Sequence, residues 1–128
     1  MPITMSPQVL TASNDAYITQ GVTARLVSRS GAGASGSQTI SIIDAPVTLL
    51  ADLTANTTVA FTNVPSGYAN TWWVEVSNRG SYTVSFTGVT WDGGSTPTLQ
   101  TTGKTVLEFY SRDGGSSIYG RARFLSIA

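Results

Sequence analysis

Apolar and polar residues alternate along most of this chain, in short runs that Gly, Pro, Asn and Asp interrupt. In the clearest run, Trp72, Val74 and Val76 share one face, and Trp73 and Glu75 share the other. Alternation with a period of two is typical of strands that bury one face. Since no amphipathic stretch of helical period exceeds about two turns, we predict a fold built from strands.

Turn signals separate these runs at intervals of roughly ten residues. We expect Pro65-Ser66-Gly67 to end one strand and Asn78-Arg79-Gly80 to join two others as a hairpin. The pattern predicts about seven to nine short strands in an all-β fold, an antiparallel β-sandwich, jelly roll or barrel. The residues expected to fill its core are Val59, Phe61, Trp72, Val74, Val84, Phe86, Leu107, Phe109, Ile118 and Phe124.

The N-terminal part of the chain differs in composition from the rest. Residues 1–13 contain two prolines and little periodicity, which fits an extended arm or a disordered terminus. Residues 30–37 are all Ser, Gly or Ala, a composition typical of a flexible linker. We therefore predict an N-terminal arm over residues 1–37, with short strands and the linker, and a β-sandwich domain over residues 38–128.

The charge content argues against two classes of partner. Seven basic and seven acidic residues cancel, and charged residues make up 11% of the chain. Because phosphate binding requires clustered Lys and Arg, we predict no nucleic-acid partner. No apolar run approaches the roughly 18 residues that span a bilayer, and no secretory signal is recognisable, so we predict no membrane partner.

The residue inventory leaves little for catalysis, because the chain has no Cys and no His. A Ser-His-Asp triad, a thiolate nucleophile and the usual zinc ligands are thereby excluded. Asp92-Gly93-Gly94 and Asp113-Gly114-Gly115 raise three alternatives, a metal loop, a mobile catalytic carboxylate or a turn. Neither has further carboxylates at the spacing of a calcium loop, and Asp-Gly favours a turn. We predict a non-enzymatic protein with no catalytic, metal or cofactor site.

Trp73 is the clearest candidate for a contact surface, because it must face away from Trp72 and the core. Tryptophan is enriched at protein interfaces and also stacks on sugar rings, so both a protein contact and a sugar-binding module stay open. The predicted oligomer or capsid interface combines this residue with apolar residues of the arm: Met1, Ile3, Met5, Val9, Leu10, Tyr17 and Trp73.

One loop carries a family resemblance. Its sequence is Trp91-Asp92-Gly93-Gly94-Ser95-Thr96-Pro97-Thr98-Leu99, and Phe109-Tyr110 and Tyr119-Gly120 follow it. Because these motifs occur in this order, residues 46–120 resemble a C-terminal β-domain of tailed-phage structural proteins, including tail-fibre proteins. The family often has Pro where Asp92 stands. The residues that carry the resemblance in the loop are Trp91, Gly93, Gly94, Pro97 and Leu99.

The resemblance implies a structural role in a virion. Taken as a complete protein of 128 residues with its own arm, the chain favours a capsid decoration, or cement, protein over a long fibre. We expect a homotrimer on the outer surface of the capsid that bridges major capsid protein subunits through several weak contacts. The alternative is a tail fibre, tail tip or host-recognition (carbohydrate-binding) component in the virion tail.

Overall fold

A computed structural model of the chain describes residues 23–127, which form nine strands and two short 3-10 helices. The helices span Gly31–Ala34 and Asp92–Gly94. The strands are β1 (Leu26–Ser30), β2 (Gly36–Ser41), β3 (Val47–Ala51), β4 (Thr57–Thr62), β5 (Asn70–Ser77), β6 (Val84–Phe86), β7 (Val89–Trp91), β8 (Lys104–Ser111) and β9 (Ile118–Ile127).

Two sheets enclose one core. A six-stranded sheet has the order β1-β3-β5-β8-β9-β7, and a three-stranded sheet has the order β2-β4-β6. Apolar residues of both sheets join a single buried cluster, so the sheets pack face to face. The all-β sandwich and the number of strands predicted from the alternation are confirmed.

The direction of the strands differs from the antiparallel arrangement expected. Among the described residues, five of the seven strand pairings are parallel and only β5–β8 and β8–β9 are antiparallel. Consecutive strands from β1 to β6 alternate between the two sheets, so each connection crosses the sandwich instead of turning back beside the strand it leaves. The hairpin predicted at Asn78-Arg79-Gly80 is therefore wrong, because this segment connects β5 to β6 in the other sheet. The chain therefore winds as a coil from β1 to β6. In this coil each strand pairs in parallel with the strand two places further along the chain.

The register shows how regular the first turn of this coil is. Leu26 pairs with Val47 and Gly36 pairs with Thr57, an offset of 21 residues in both sheets (26 to 47 and 36 to 57). The antiparallel hairpin of β8 and β9 then lies between β5 and β7. That hairpin widens the sheet and places β9 beside β7, which runs parallel to it.

The core is organised around Phe109, which is fully buried. Its ring centroid lies 4.8 Å from that of Phe61, 5.2 Å from Phe86, 5.7 Å from Trp91 and 6.0 Å from Trp72. Tilted and offset arrangements of this kind suit the quadrupoles of aromatic rings. Of the predicted core residues, Phe61 is partly buried, and the buried ones are Val59, Trp72, Val74, Val84, Phe86, Leu107, Phe109 and Ile118.

Phe124 is the exception, and its placement in the core is wrong. Its side chain is 51% exposed. The pairing of β8 with β9 shifts register here, since Leu107 lies opposite Ala122 and Val106 lies opposite Phe124. Arg123 is therefore an extra residue in β9, a β-bulge, and it reverses the alternation that would have turned Phe124 inward.

The boundary predicted between residues 37 and 38 falls inside β2. The small residues before it do not form a linker, because Gly31–Ala34 is a tight helical turn whose Ala34 is completely buried in the core. Residues without bulk make this close turn between the sheets sterically possible. The segment from Leu26 onward is therefore part of the sandwich.

A polar pair closes the first described turn of the coil, where β1 and β2 are the outermost of the described strands in their sheets. Nη1 of Arg29 donates to Oε1 of Gln38 at 2.8 Å, and Nη2 donates to the carbonyl of Thr39 at 3.2 Å. Nε2 of Gln38 donates to the carbonyl of Ser35 at 2.8 Å. These hydrogen bonds of Arg29 join β1 to β2 across the end of the described coil.

Candidate binding surface on the six-stranded sheet

One row of side chains crosses the outer face of the six-stranded sheet. The register pairs Leu26 with Val47, Val47 with Trp73, Trp73 with Glu108, and Glu108 with Arg121. Each of these residues has its inward neighbour in the core, so all five side chains lie on the outer face. We call this line of five residues the Trp73 row.

A second row lies beside the first and is built by the same alternation. Thr71 pairs with Tyr110, Tyr110 with Tyr119, and Tyr119 with Thr90. We call these four residues the tyrosine row. The two rows together present three aromatic side chains and a pair of opposite charges on one surface.

A groove of about 540 Å³ occupies the β1 end of this surface. We call it the apolar groove. Leu26, which is 58% exposed, and Trp73, which is half-buried, contribute its apolar surface. The guanidinium of Arg123 lies 6.0 Å from the Trp73 ring centroid, within the range of a cation–π contact. The residues lining the apolar groove are Ala24, Leu26, Pro46, Val47, Thr71, Trp72, Trp73 and Glu108.

Trp72 and Trp73 point to opposite faces, as the sequence predicts. Trp72 is 1% exposed and packs edge-on against Phe61, with the ring centroids 5.1 Å apart. Its indole Nε1–H is buried without a hydrogen-bond partner among residues 23–127, whereas buried donors are normally paired. Trp73 on the outer face is therefore the residue of the pair that is accessible for contacts.

A smaller groove of about 250 Å³ lies at the β7 end, and we call it the tyrosine groove. The rings of Tyr110 and Tyr119 stack at 27°, with 6.5 Å between their centroids. Nε of Arg121 donates to Oε1 of Glu108 at 2.9 Å. Glu108 lines both grooves. The residues lining the tyrosine groove are Thr90, Trp91, Asp92, Glu108, Tyr110, Tyr119, Gly120 and Arg121.

The loop that carries the family resemblance packs at its two ends. The Trp91 ring meets the core, and Leu99 is buried at 6% exposure. Nε and Nη2 of Arg79 donate to the carbonyl of Leu99 at 3.2 and 2.9 Å. Between these ends, Gly93 and Gly94 are exposed with φ of 79° and 85°, a conformation that favours glycine.

The rest of that loop contributes only Asp92 to the two grooves. Pro97 is partly buried, and Asp92 is exposed in the short helix at the rim of the tyrosine groove. Of the predicted loop residues, Trp91 lines the tyrosine groove, whereas Pro97 and Leu99 line a separate depression of about 170 Å³ beside Arg79.

Asp113-Gly114-Gly115 forms the turn predicted for it. Oδ1 of Asp113 accepts from the backbone N–H of Ser117 at 2.8 Å and from the hydroxyl of Ser111 at 3.2 Å. Gly114 and Gly115 have φ of 70° and 90°. The hydrogen bond from the Ser117 backbone, followed by those from the Ser117 and Ser111 side chains, holds the pKa of Asp113 below its ordinary value of 3.8.

The structure places one predicted interface residue, Trp73, at the centre of the surface. The other predicted interface residues lie outside the described residues: Met1, Ile3, Met5, Val9, Leu10 and Tyr17. Sequence reasoning missed Tyr110, Tyr119 and Arg121 as members of a site. Each stands at an outward position of an alternating strand, but only the pairing of β8 with β9 brings them together.

The described part of the chain contains neither a cluster of metal-ligating side chains nor a helix that could span a membrane. Within residues 23–127 no three His, Cys, Asp or Glu side chains group closely enough to hold a metal ion. Over the same residues no helix has the length and apolarity that crossing a membrane requires. The side chains that line the two grooves provide aromatic stacking, apolar contact and hydrogen bonding by Arg and carboxylate groups.

No family model, curated protein or solved structure matches this chain.

Proposed function

We propose that this chain is a non-enzymatic structural protein of a tailed-phage virion, a decoration protein that bridges neighbouring major capsid subunits on the outer surface of the shell. The resemblance of residues 46–120 to a virion β-domain motivates the proposal. Its physical support comes from the outer face of the six-stranded sheet.

The observation that carries the proposal is the apolar groove. A sheet face that bears Leu26 at 58% exposure beside Val47 and Trp73 keeps apolar area in water. Covering that area with a partner releases roughly 25 cal/mol per Å². Trp and Arg are the residues that contribute most at protein interfaces, and Arg123 lies against the Trp73 ring.

To bridge capsid subunits, one oligomer of this protein must present several apolar grooves at once. A homotrimer provides three, and linked weak contacts combine into a strong attachment. From the sequence, we expect apolar residues of the predicted arm, among them Ile3, Val9 and Leu10, to add contact area. Because the contacts are mainly apolar, attachment should resist salt.

Capsid binding by a Trp73 variant tests the proposal. Full-length chain and Trp73→Ala are mixed with purified capsids that lack this protein, and the bound fraction is measured after sedimentation. We expect a loss of at least about 2 kcal/mol in binding free energy, since interface Trp residues contribute that much when truncated. Tyr82→Ala is the control, because Tyr82 is exposed outside both grooves.

Two further measurements separate the alternatives. Light scattering of the free protein should give the mass of a trimer, and a monomer at micromolar concentration would contradict it. Quantitative mass spectrometry of the virion should give a copy number close to that of the major capsid protein. A low copy number that follows tail symmetry would replace the capsid assignment with a tail fibre, tail tip or host-recognition component.

A further inference from the structure

We propose that the tyrosine groove is a saccharide-binding site, which takes one neutral sugar ring with vicinal hydroxyl groups. The proposal does not depend on capsid decoration, although the tyrosine groove shares Glu108 with the apolar groove. It rests on the aromatic surface, on the hydrogen-bonding groups beside it and on the balance of charge.

The aromatic surface is formed by Tyr110 and Tyr119. They are 38% and 46% exposed, and their rings are inclined by only 27° with centroids 6.5 Å apart. The exposed parts of these two stacked rings form an apolar area on the antiparallel ladder of β8 and β9. The apolar face of a pyranose ring, with its axial C–H groups, matches such an area, and the electron-rich ring faces attract those hydrogens.

The hydrogen-bonding groups stand along the edge of that surface. Glu108 holds the guanidinium of Arg121 through Nε alone, so among the described residues both terminal nitrogens remain for a ligand. The second carboxylate oxygen of Glu108 and the exposed carboxylate of Asp92 are acceptors in the same groove. A hydroxyl group both donates and accepts, so two adjacent hydroxyls pair with an Arg and a carboxylate together.

The size and charge of the groove narrow the ligand class. At about 250 Å³ it falls below the range of about 300–1,000 Å³ typical of drug-sized ligands, and it is open to solvent. Two carboxylates against one guanidinium leave a negative balance, which disfavours phosphate, nucleic acid and acidic sugars. A neutral saccharide that leaves its other hydroxyls in water fits these properties.

The test begins with the full-length protein on a printed glycan array, followed by NMR titration with lactose, maltose and N,N′-diacetylchitobiose as soluble probes. We expect binding of at least one neutral saccharide at millimolar concentration or below. Tyr119→Ala should weaken it by about tenfold, equivalent to about 1.4 kcal/mol, and Tyr119→Phe should retain it because the ring is kept. Arg121→Ala should weaken it similarly.

Tyr68→Ala is the matched control, since Tyr68 is 69% exposed and lies outside the groove. Unfolding curves of each variant establish that lost binding is not lost folding. The proposal is overturned if no neutral saccharide binds at millimolar concentration, if sialyllactose binds more tightly than lactose, or if Tyr119→Ala binds as the unchanged protein does. Binding of a peptide or protein at Tyr119 with a silent glycan array would overturn it as well.

Discussion

The indole ring of Trp91 lies directly against the backbone of Gly120, its partner in the pairing of β7 with β9. A Cβ atom at position 120 would stand 2.8 Å from Cζ3 of Trp91 and 2.9 Å from Cγ1 of Val89. Both distances are shorter than real side chains tolerate. Glycine at this position therefore lets Trp91 reach the core and the wall of the tyrosine groove at once.

Gly120→Ala should lower the free energy of unfolding by about 1–3 kcal/mol, because the added methyl group overpacks a rigid indole ring. Urea unfolding at equilibrium measures the loss. Gly33→Ala is the control, since a Cβ atom there meets no atom within 4 Å. It should change stability by no more than about 0.5 kcal/mol. Equal stability of the two variants would mean that β7 shifts freely to accommodate the methyl group.

Phe109 and Phe124 make a second matched pair. Phe109→Ala should cost about 3–5 kcal/mol, because it opens a cavity between four aromatic rings. Phe124→Ala should cost no more than about 0.5 kcal/mol, since that ring lies on the surface. Thermal and urea unfolding compare the two variants. A large loss in Phe124→Ala would contradict the bulge at Arg123.

These two phenylalanines show how much of the fold the alternation of apolar and polar residues predicts. It predicted the strands, the buried face of Trp72 and Phe109, and the outward face of Trp73. It did not predict Phe124, because one extra residue in β9 reverses the alternation and nothing in its local composition signals a bulge. Nor did it predict the tyrosine groove, whose members meet only through the long-range pairing of β8 with β9 and β7.

The local pattern of residues also did not predict the direction of the strands. A connection such as the one from Ser41 to Val47 contains Asp44, Ala45 and Pro46, which are equally suitable for a hairpin and for a crossing between sheets. Whether the chain forms a hairpin or a crossing depends on the sheet edge with which the next strand pairs. Since β3 pairs with β1 and β4 with β2, the coil depends on contacts about twenty residues apart, and turn residues carry no information about these.

Asp113 should make stability depend on pH in the acidic range. Its folded pKa lies below the ordinary 3.8, so its hydrogen bonds stabilise the fold above the unfolded pKa, and that contribution is lost as pH falls through the folded pKa. NMR titration of the carboxyl carbon should give a midpoint below 3.8. Asp113→Asn should be less stable than the unchanged protein near neutral pH.

Low pH provides an internal control for the comparison of Asp113→Asn with the unchanged protein. Below the folded pKa both side chains are uncharged, so the difference in stability between Asp113→Asn and the unchanged protein should shrink. Urea unfolding of both proteins at neutral and acidic pH measures this. A difference that stays constant across the range would show that ionisation of the carboxyl group is not what stabilises the turn.

The polar pair that closes the first turn of the coil should contribute through its hydrogen bonds. Gln38 is 8% exposed, and it accepts from Arg29 while it donates to the carbonyl of Ser35. Gln38→Ala removes both bonds and should cost about 1–3 kcal/mol, the range for buried polar groups left without partners. Gln38→Met is the matched variant, because it keeps the length of the side chain and removes only the polar atoms. If the hydrogen bonds are responsible, Gln38→Met is destabilised to a similar extent in urea unfolding; a Met variant as stable as the unchanged protein would show that filling the space is sufficient to close the coil.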